Sequence, residues 1–336
     1  MSWSEQQRDL RFAVGILRRR PFQALIQVTN RCNMQCSFCD FWPNGVPPGD
    51  ELTLADFARL EGEMSQLGTF LVSIEGGEPL VRPDLVEIVR IFGRRHIPLL
   101  YTNGWYIDET KAHGLWDAGL AQVGVSIDYA SEERHDRRRR LAGAFVRGWR
   151  AVATLRDTAP HGGKQVHVMT VLMRDNADDV EPLLQMSARE RVGHCTTLLS
   201  TRGFRRAAGA ELPRPEIAAE YTQRWSAHAH FRMFGEYLER IPAYLEGEPM
   251  PACHAGIQSF NIDHVGNVAH CIEKIDRPFG NVRQEPLPSI HRRMREANPA
   301  RDCQDCWTAC RGFNQSLSGG GTLRAWRDLA GRMRSV

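Results

Sequence analysis

The sequence carries nine cysteines, at positions 32, 36, 39, 195, 253, 271, 303, 306 and 310, and eight of them fall in two groups, one toward each end of the chain. The first group is Arg31-Cys32-Asn33-Met34-Gln35-Cys36-Ser37-Phe38-Cys39, a C-x3-C-x2-C spacing. Thiolates are soft donors suited to iron–sulfur clusters and to zinc. Three of them can hold three irons of a four-iron cluster and leave the fourth iron open to an outside ligand. A structural zinc ion would need a fourth donor, for which His135 is a candidate. A disulfide framework fits poorly with an odd cysteine count in a long chain whose start does not read as an export signal.

The second group comprises Cys253 and Cys271, which bracket a probable hairpin, and Cys303-Gln304-Asp305-Cys306-Trp307-Thr308-Ala309-Cys310. Four thiolates close a complete cluster, although four-cysteine zinc ribbons use the same residue types. Cys310 is the fifth. It can replace one of the four as a ligand, act as a thiol hydrogen donor, or be a buried inert cysteine. Cys195 has the last two of these roles open to it, donor or buried strand residue.

The elements that must position these groups follow from periodicity. Strands are expected at 24–28, 69–74, 97–101, 121–127, 165–172 and 194–199. Helices are expected at 54–67, 83–92, 111–118, 144–155 and 177–189, with a further one after residue 200. Such β–α alternation builds a parallel α/β sheet covered by helices, here a partial, TIM-like (β/α)6 barrel open on one side. The polar motifs each follow a strand: Gly76-Gly77-Glu78-Pro79, Thr102-Asn103-Gly104 and Ser126-Ile127-Asp128. They are therefore expected to converge at the carboxyl ends of the strands. Residues 1–21 read as an N-terminal helical segment, 22–215 as the barrel, 216–250 as a helical bridge with helices at 215–229 and 234–245. Residues 251–336 read as a cysteine-rich module with a hairpin (259–262, 267–271) and a C-terminal helix at 323–333.

The cysteine loop after the first strand, with Phe38 ahead of its third cysteine, resembles the signature of the radical S-adenosylmethionine (SAM) superfamily. The GGEP, TNG and SID segments, and the pair His135-Asp136 with arginines after it, follow in the order found there, so the resemblance covers about residues 22–200. It implies a 4Fe–4S cluster on Cys32, Cys36 and Cys39 that binds SAM through its open iron. It further implies contacts to SAM from the backbone at Gly76 and Gly77 and from Glu78 to the amino group. Phe38 would lie beside the adenine, Thr102, Asn103, Ser126 and Asp128 would surround the rest, and Arg139 would bind the carboxylate. Tyr129 departs from the glycine usual after the aspartate. The arginine-rich run 134–140 reads mostly as a solvated helix face. The second cysteine group resembles the SPASM or twitch extension of the same superfamily. With fewer cysteines than a full SPASM domain, it implies one auxiliary 4Fe–4S cluster on Cys253, Cys271, Cys303 and Cys306, with Cys310 left over.

The implied activity is hydrogen-atom abstraction from an unactivated carbon, with electrons from a low-potential donor such as flavodoxin or ferredoxin. The preferred outcome is oxidation or epimerisation of a small molecule such as a sugar or aminocyclitol. The preference arises because only residues 1–21 precede the first strand, too few for a peptide-recognition domain of winged-helix type. A peptide maturase forming thioether or carbon–carbon crosslinks or epimerising residues is the first alternative, a non-catalytic zinc-binding scaffold the second, and a glycyl-radical activase is disfavoured by the long cysteine-bearing C-terminus. The chain has 336 residues, 42% hydrophobic and 25% charged, an ordinary globular composition. Its formal charge of +3 gives no basic face for nucleic acid. No run of about 18 apolar residues suggests a membrane span, and the expected location is the cytoplasm.

Overall fold

The computed structural model describes residues 3–160, 164–201 and 211–332. Helix α1 (Glu5–Leu17) opens the chain, its N-terminus closed by a reciprocal Ser4–Gln7 capping box. Phe12 and Ile16 turn inward from it and pack with Phe22. The barrel follows as β1 (Gln23–Thr29), α2 (Leu54–Leu67), β2 (Leu71–Gly76), α3 (Leu85–Gly93), β3 (Ile97–Thr102), α4 (Glu109–Asp117), β4 (Gln122–Ser126), α5 (Glu132–Arg139), α6 (Ala144–Thr158), β5 (Gln165–Leu172), α7 (Val180–Arg189) and β6 (Gly193–Leu198). Next come α8 (Pro215–Ser226), α9 (Gly235–Glu239), α10 (Ile241–Leu245), β7 (Ser259–Ile262), β8 (Asn267–Ala269), β9 (Gly280–Asn281), α11 (Leu287–Ala297), α12 (Ala309–Leu317) and α13 (Leu323–Arg332).

The strands form one sheet in the order β6-β5-β4-β3-β2-β1-β7-β8-β9. β1 to β6 are parallel neighbours in sequence order, the open α/β barrel expected from the alternation. Period-2 burial sorts each strand. Ile26, Ile74, Leu100, Val123 and Val168 join the core under the helices. Leu25, Ser73, Leu99, Gly124, Met169 and Cys195, one from each strand, line a cavity of about 370 Å³ on the concave side.

Four local outcomes differ from expectation. Helix α3 starts at Leu85, so Pro83 lies outside it, in a turn held by an Arg82–Asp84 ion pair at 2.8 Å. The helix expected at 234–245 is two short ones, with Pro242 in the first turn of α10, where its missing N–H leaves no bond unmade. The hairpin is present, but β7 also pairs in parallel with β1, from Gln23↔Ser259 to Ile26↔Ile262, so the cysteine-rich module extends the barrel sheet itself. Its second strand ends at Ala269, because Cys271 already leads into the 3₁₀ turn Ile272–Lys274. Helices α11 and α12 were not anticipated. The first helix described after residue 200 is α8, and the last residue of the helix expected at 323–333 lies outside the described residues.

Candidate functional site

Cys32, Cys36 and Cys39 sit in the loop after β1 and all line the cavity at the carboxyl ends of the strands. The loop is anchored from below by a buried polar network. Glu51, 2% exposed, accepts from Thr29 Oγ1, from Arg31 Nε at 3.0 Å and Nη2 at 2.9 Å, and from Arg82 Nη1 at 3.4 Å. Arg82 also donates to the backbone carbonyls of Val28 and Leu52, each at 3.0 Å. From the side, Arg138 donates to Ser37 Oγ at 3.2 Å while its carbonyl accepts from Ser37 N at 3.1 Å.

The glycine pair owes its identity to that loop. Gly76 N-terminal to Gly77 has φ +133°, and a Cβ on it would lie 2.0 Å from the Thr29 carbonyl oxygen. A Cβ on Gly77 would lie 2.2 Å from the Arg31 oxygen. The absence of side chains lets the two backbones zip together, Gly77 N to Thr29 O at 2.7 Å and Glu78 N to Arg31 O at 2.9 Å.

Glu78 is 1% exposed and does not line the cavity. Its Oε1 accepts from Thr102 Oγ1 at 2.8 Å and Leu80 N at 3.0 Å, and its Oε2 from Asn103 N at 2.7 Å. Burial pushes its carboxyl upward, with these donors acting against the rise. Asp128 is likewise fully buried behind the wall, paired with Arg139 and accepting from Val171 N at 2.9 Å. Arg139 reaches the cavity, its guanidinium 5.5 Å from the Phe38 ring centre, and its charge is retained by Asp128 despite burial. Of the residues expected around the nucleotide, Phe38, Gly76, Gly77, Thr102, Asn103, Ser126 and Arg139 line the cavity, while Glu78 and Asp128 brace it.

The His135-Asp136 pair is structural. His135 Nδ1 accepts from Asp128 N at 3.3 Å, and burial drops the ring's pKa to about 3, so it is neutral. Asp136 accepts from Phe145 N at 2.9 Å at the start of α6. The arginine run is not simply a solvated face. Arg134 lies 4.8 Å from the Tyr129 ring centre, and Arg138 donates to the Tyr129 hydroxyl at 3.0 Å. Tyr129 itself, in the glycine's usual place, is buried with Met34, Cys36 and Phe38 under the cysteine loop.

The second thiol group is equally enclosed. Burial pushes Cys306 up to about 12, Cys271 well above its usual value and Cys253 upward, with further upward pushes from the neighbouring cysteines. Burial likewise pushes Cys32 up to about 12 and Cys36 to about 11, the latter against the pull of Arg139. Such thiols are protonated until a metal displaces the protons. Arg311 staples the second group, donating to the carbonyls of Cys306 (2.8 Å), Pro251 (2.8 Å) and Cys303 (3.1 Å). Cys310 differs from the other four: it lines the barrel cavity. It packs with Cys39 against Leu25, Phe41, Ile272 and Ile275, an apolar bridge between the two thiol groups. Cys195 also lines the cavity, its Sγ donating to Arg232 O at 3.3 Å. None of the nine cysteines is in a disulfide. Among the described residues, no set of three or more His, Cys, Asp or Glu converges tightly enough for a single metal ion. Sequence reasoning missed Glu51, Arg82, Arg138 and Arg311 as loop anchors; only Arg311, adjacent to Cys310, carried a local signal.

Comparison with known proteins gives two family matches. The description "Radical SAM superfamily" fits residues 26–186, and "Iron-sulfur cluster-binding domain", of the SPASM type, fits residues 253–307. The chain belongs to the radical SAM superfamily, in its SPASM/twitch subgroup. It is therefore an enzyme that modifies its substrate by radical chemistry, with SAM and a 4Fe–4S cluster in the core and iron–sulfur ligation in the extension. Similar proteins include an AdoMet-dependent heme synthase of Oleidesulfovibrio alaskensis, 27% identical over 80% of this chain and 73% of the relative. A PqqA peptide cyclase of Gluconobacter oxydans is 28% identical over 89% of this chain and 88% of the relative. In structure the chain resembles SuiB of Streptococcus suis, with a TM-score of 0.65, 14% identity, and coverage of 84% of this chain and 69% of SuiB, a likeness of fold. The zinc-scaffold alternative is set aside by the family. The preference for a sugar or aminocyclitol finds no support in these relatives. No helix among the described residues is long and apolar enough to cross a membrane.

Proposed function

We propose that the chain is a radical SAM maturase that abstracts a hydrogen atom from a peptide substrate held along the barrel cavity. In this reading Cys32, Cys36 and Cys39 hold the core cluster, and Cys253, Cys271, Cys303 and Cys306 hold one auxiliary cluster. The donor set supports the fit: soft thiols on the wall of a cavity, and a wall kept bare of side chains at Gly76 and Gly77. Held there, the core cluster would supply the one-electron reduction that splits SAM into methionine and a 5′-deoxyadenosyl radical.

The chain's own residues do the positioning. Phe38 offers a ring face for adenine, and Arg139, held by Asp128, offers a cation to the SAM carboxylate. Glu78 fixes the Thr102-Asn103 turn rather than reaching the cofactor directly. Cys310 stands on the cavity wall at the edge of the auxiliary group and is the candidate thiol hydrogen donor there; Cys195, engaged with a backbone carbonyl, is the weaker one. The single observation that carries the peptide reading is a cavity that runs the length of the strands from α1 to the cysteine loop, long enough for an extended chain. The peptide cyclase relative supports it. The heme synthase relative favours a second reading, synthesis of a haem.

The test is incubation of anaerobically reconstituted, dithionite-reduced enzyme with SAM and a deuterated short peptide encoded beside its gene, and in parallel with an iron porphyrin. Deuterium in 5′-deoxyadenosine and a mass change in the peptide are expected. Modification of the porphyrin alone overturns the peptide reading. The domain boundaries given above and the need for a low-potential one-electron donor belong to the same proposal.

A further inference from the structure

The cavity continues down the inside of the strands to α1, where Asp9 and Phe12 line its floor. Strand β5 spans this distance. Val171 packs beside Cys36 and Phe38 at the top, and Gln165 opens the strand at the bottom, its N–H donating to Ala121 O at 3.1 Å. The six residue steps between them amount to roughly 20 Å. Gln165, His167, Met169 and Val171 all face the cavity.

Gln165 is 6% exposed, and neither its Nε2 nor its Oε1 has a hydrogen-bond partner, so the whole carboxamide is unmatched. A carboxamide offers donors and an acceptor side by side, and a buried one left unpaired weakens the fold. A buried group left unmatched calls for a partner, and a site that pairs such a group with its ligand rejects ligands that lack the matching group. The charged neighbours on the floor leave room for a neutral partner: Lys164 is bonded to Glu5 at 2.6 Å, Arg8 donates to the carbonyls of Gly93 (2.6 Å) and His96 (3.2 Å), and burial pushes the Asp9 carboxyl upward, toward its uncharged form.

Resting on the peptide reading and deepening it, we propose that Gln165 is a specificity-determining residue that pairs with an amide of the substrate. Its Nε2 donates to the amide carbonyl, and its Oε1 accepts from the amide N–H. The amide is a backbone peptide unit or the side chain of an asparagine or glutamine; an ester of the same shape, lacking the N–H, leaves Oε1 unmatched.

The experiment measures dissociation constants on the reconstituted holoenzyme with SAM present, by saturation-transfer NMR, for three probes. N-acetylglycine N-methylamide carries peptide units alone, butyramide carries a side-chain type carboxamide, and methyl butyrate is the ester control. At least one amide is expected to bind about fivefold or more tighter than the ester, as befits a site left with an unpaired buried group. The preferred amide identifies the source. Gln165→Leu is expected to bring amide and ester within about twofold of one another. Equal binding of amides and ester to the unaltered enzyme, no amide binding, or an undiminished preference in Gln165→Leu each overturns the proposal. The unaltered enzyme decides the matter alone if that variant does not fold. None of these outcomes touches the peptide reading, which is scored by modification of the peptide itself.

Discussion

Gly77→Ala isolates the close approach on which the cysteine loop depends. Gly77 is not in the left-handed region, so alanine is conformationally allowed and the effect is one of space alone. The new Cβ would meet Arg31 O at 2.2 Å, Asn30 O at 2.6 Å and Arg31 C at 2.7 Å, all backbone atoms, so the two segments must separate by about 1 Å to restore ordinary contact. Separation breaks the bonds from Gly77 N to Thr29 O and from Glu78 N to Arg31 O, worth about 1 kcal/mol each. Overpacking adds about 1–3 kcal/mol. The loss is then about 4 kcal/mol. For a chain of this length the unfolding entropy is about 0.7 kcal/mol per kelvin, so the melting temperature should fall by about 6 °C. Because the displaced segment leads directly into Cys32, iron content after anaerobic reconstitution should fall from about eight per chain toward about four. Thermal unfolding by circular dichroism and iron analysis read both effects. A Gly77→Ala protein that melts within about 1 °C of the unaltered one and carries full iron would refute the argument that the glycine exists to let the backbones touch.

Other outcomes follow from the same geometry. Arg311→Met should leave the carbonyls of Cys303, Cys306 and Pro251 without their donor and lower stability. The cost is that of buried neutral acceptors left unpaired, about 1–3 kcal/mol, and the variant should also lose about four irons while 5′-deoxyadenosine formation survives. Cys310→Ala should retain both clusters and Cys306→Ala should lose the auxiliary one, as seen by iron analysis and electron paramagnetic resonance; equal loss would make Cys310 a ligand. Burial lowers His96 and His194 from 6.5 to about 3. The unfolded chain therefore binds protons that the folded chain does not between those values, and stability is present above about pH 6.5 and is lost as pH falls toward 3, by up to about 1.4 kcal/mol per pH unit per histidine. His96→Gln should flatten the fall of urea midpoints between pH 7 and 5; an unchanged slope would contradict the assignment.

The sequence was legible where chemistry or period repeats. Alternating burial in strands such as β5 and the helical period of α2 are set by local backbone geometry, so the barrel strands stand within a few residues of expectation. The cysteines and the glycine pair announce themselves because few residues can replace them. What was hidden depends on contacts between segments far apart in the chain. The pairing of β7 with β1 joins residues more than two hundred apart and leaves no local mark. The clasp of Glu51 by Arg31 and Arg82 uses residue types that are ordinary on any surface. The bonds that Glu78 accepts from Thr102 and Asn103 join residues more than twenty apart, and the motif that names Glu78 does not announce them. The arginine-rich helix α5 misled at Arg138: charge alone does not reveal that this side chain donates to the hydroxyl of the buried Tyr129.

The most direct measurement replaces Cys32, Cys36 and Cys39 together by alanine and follows 5′-deoxyadenosine from SAM in anaerobically reconstituted, dithionite-reduced protein. The product is expected to vanish while the auxiliary iron, about four per chain, remains. Formation of 5′-deoxyadenosine at the rate of the unaltered enzyme would contradict it.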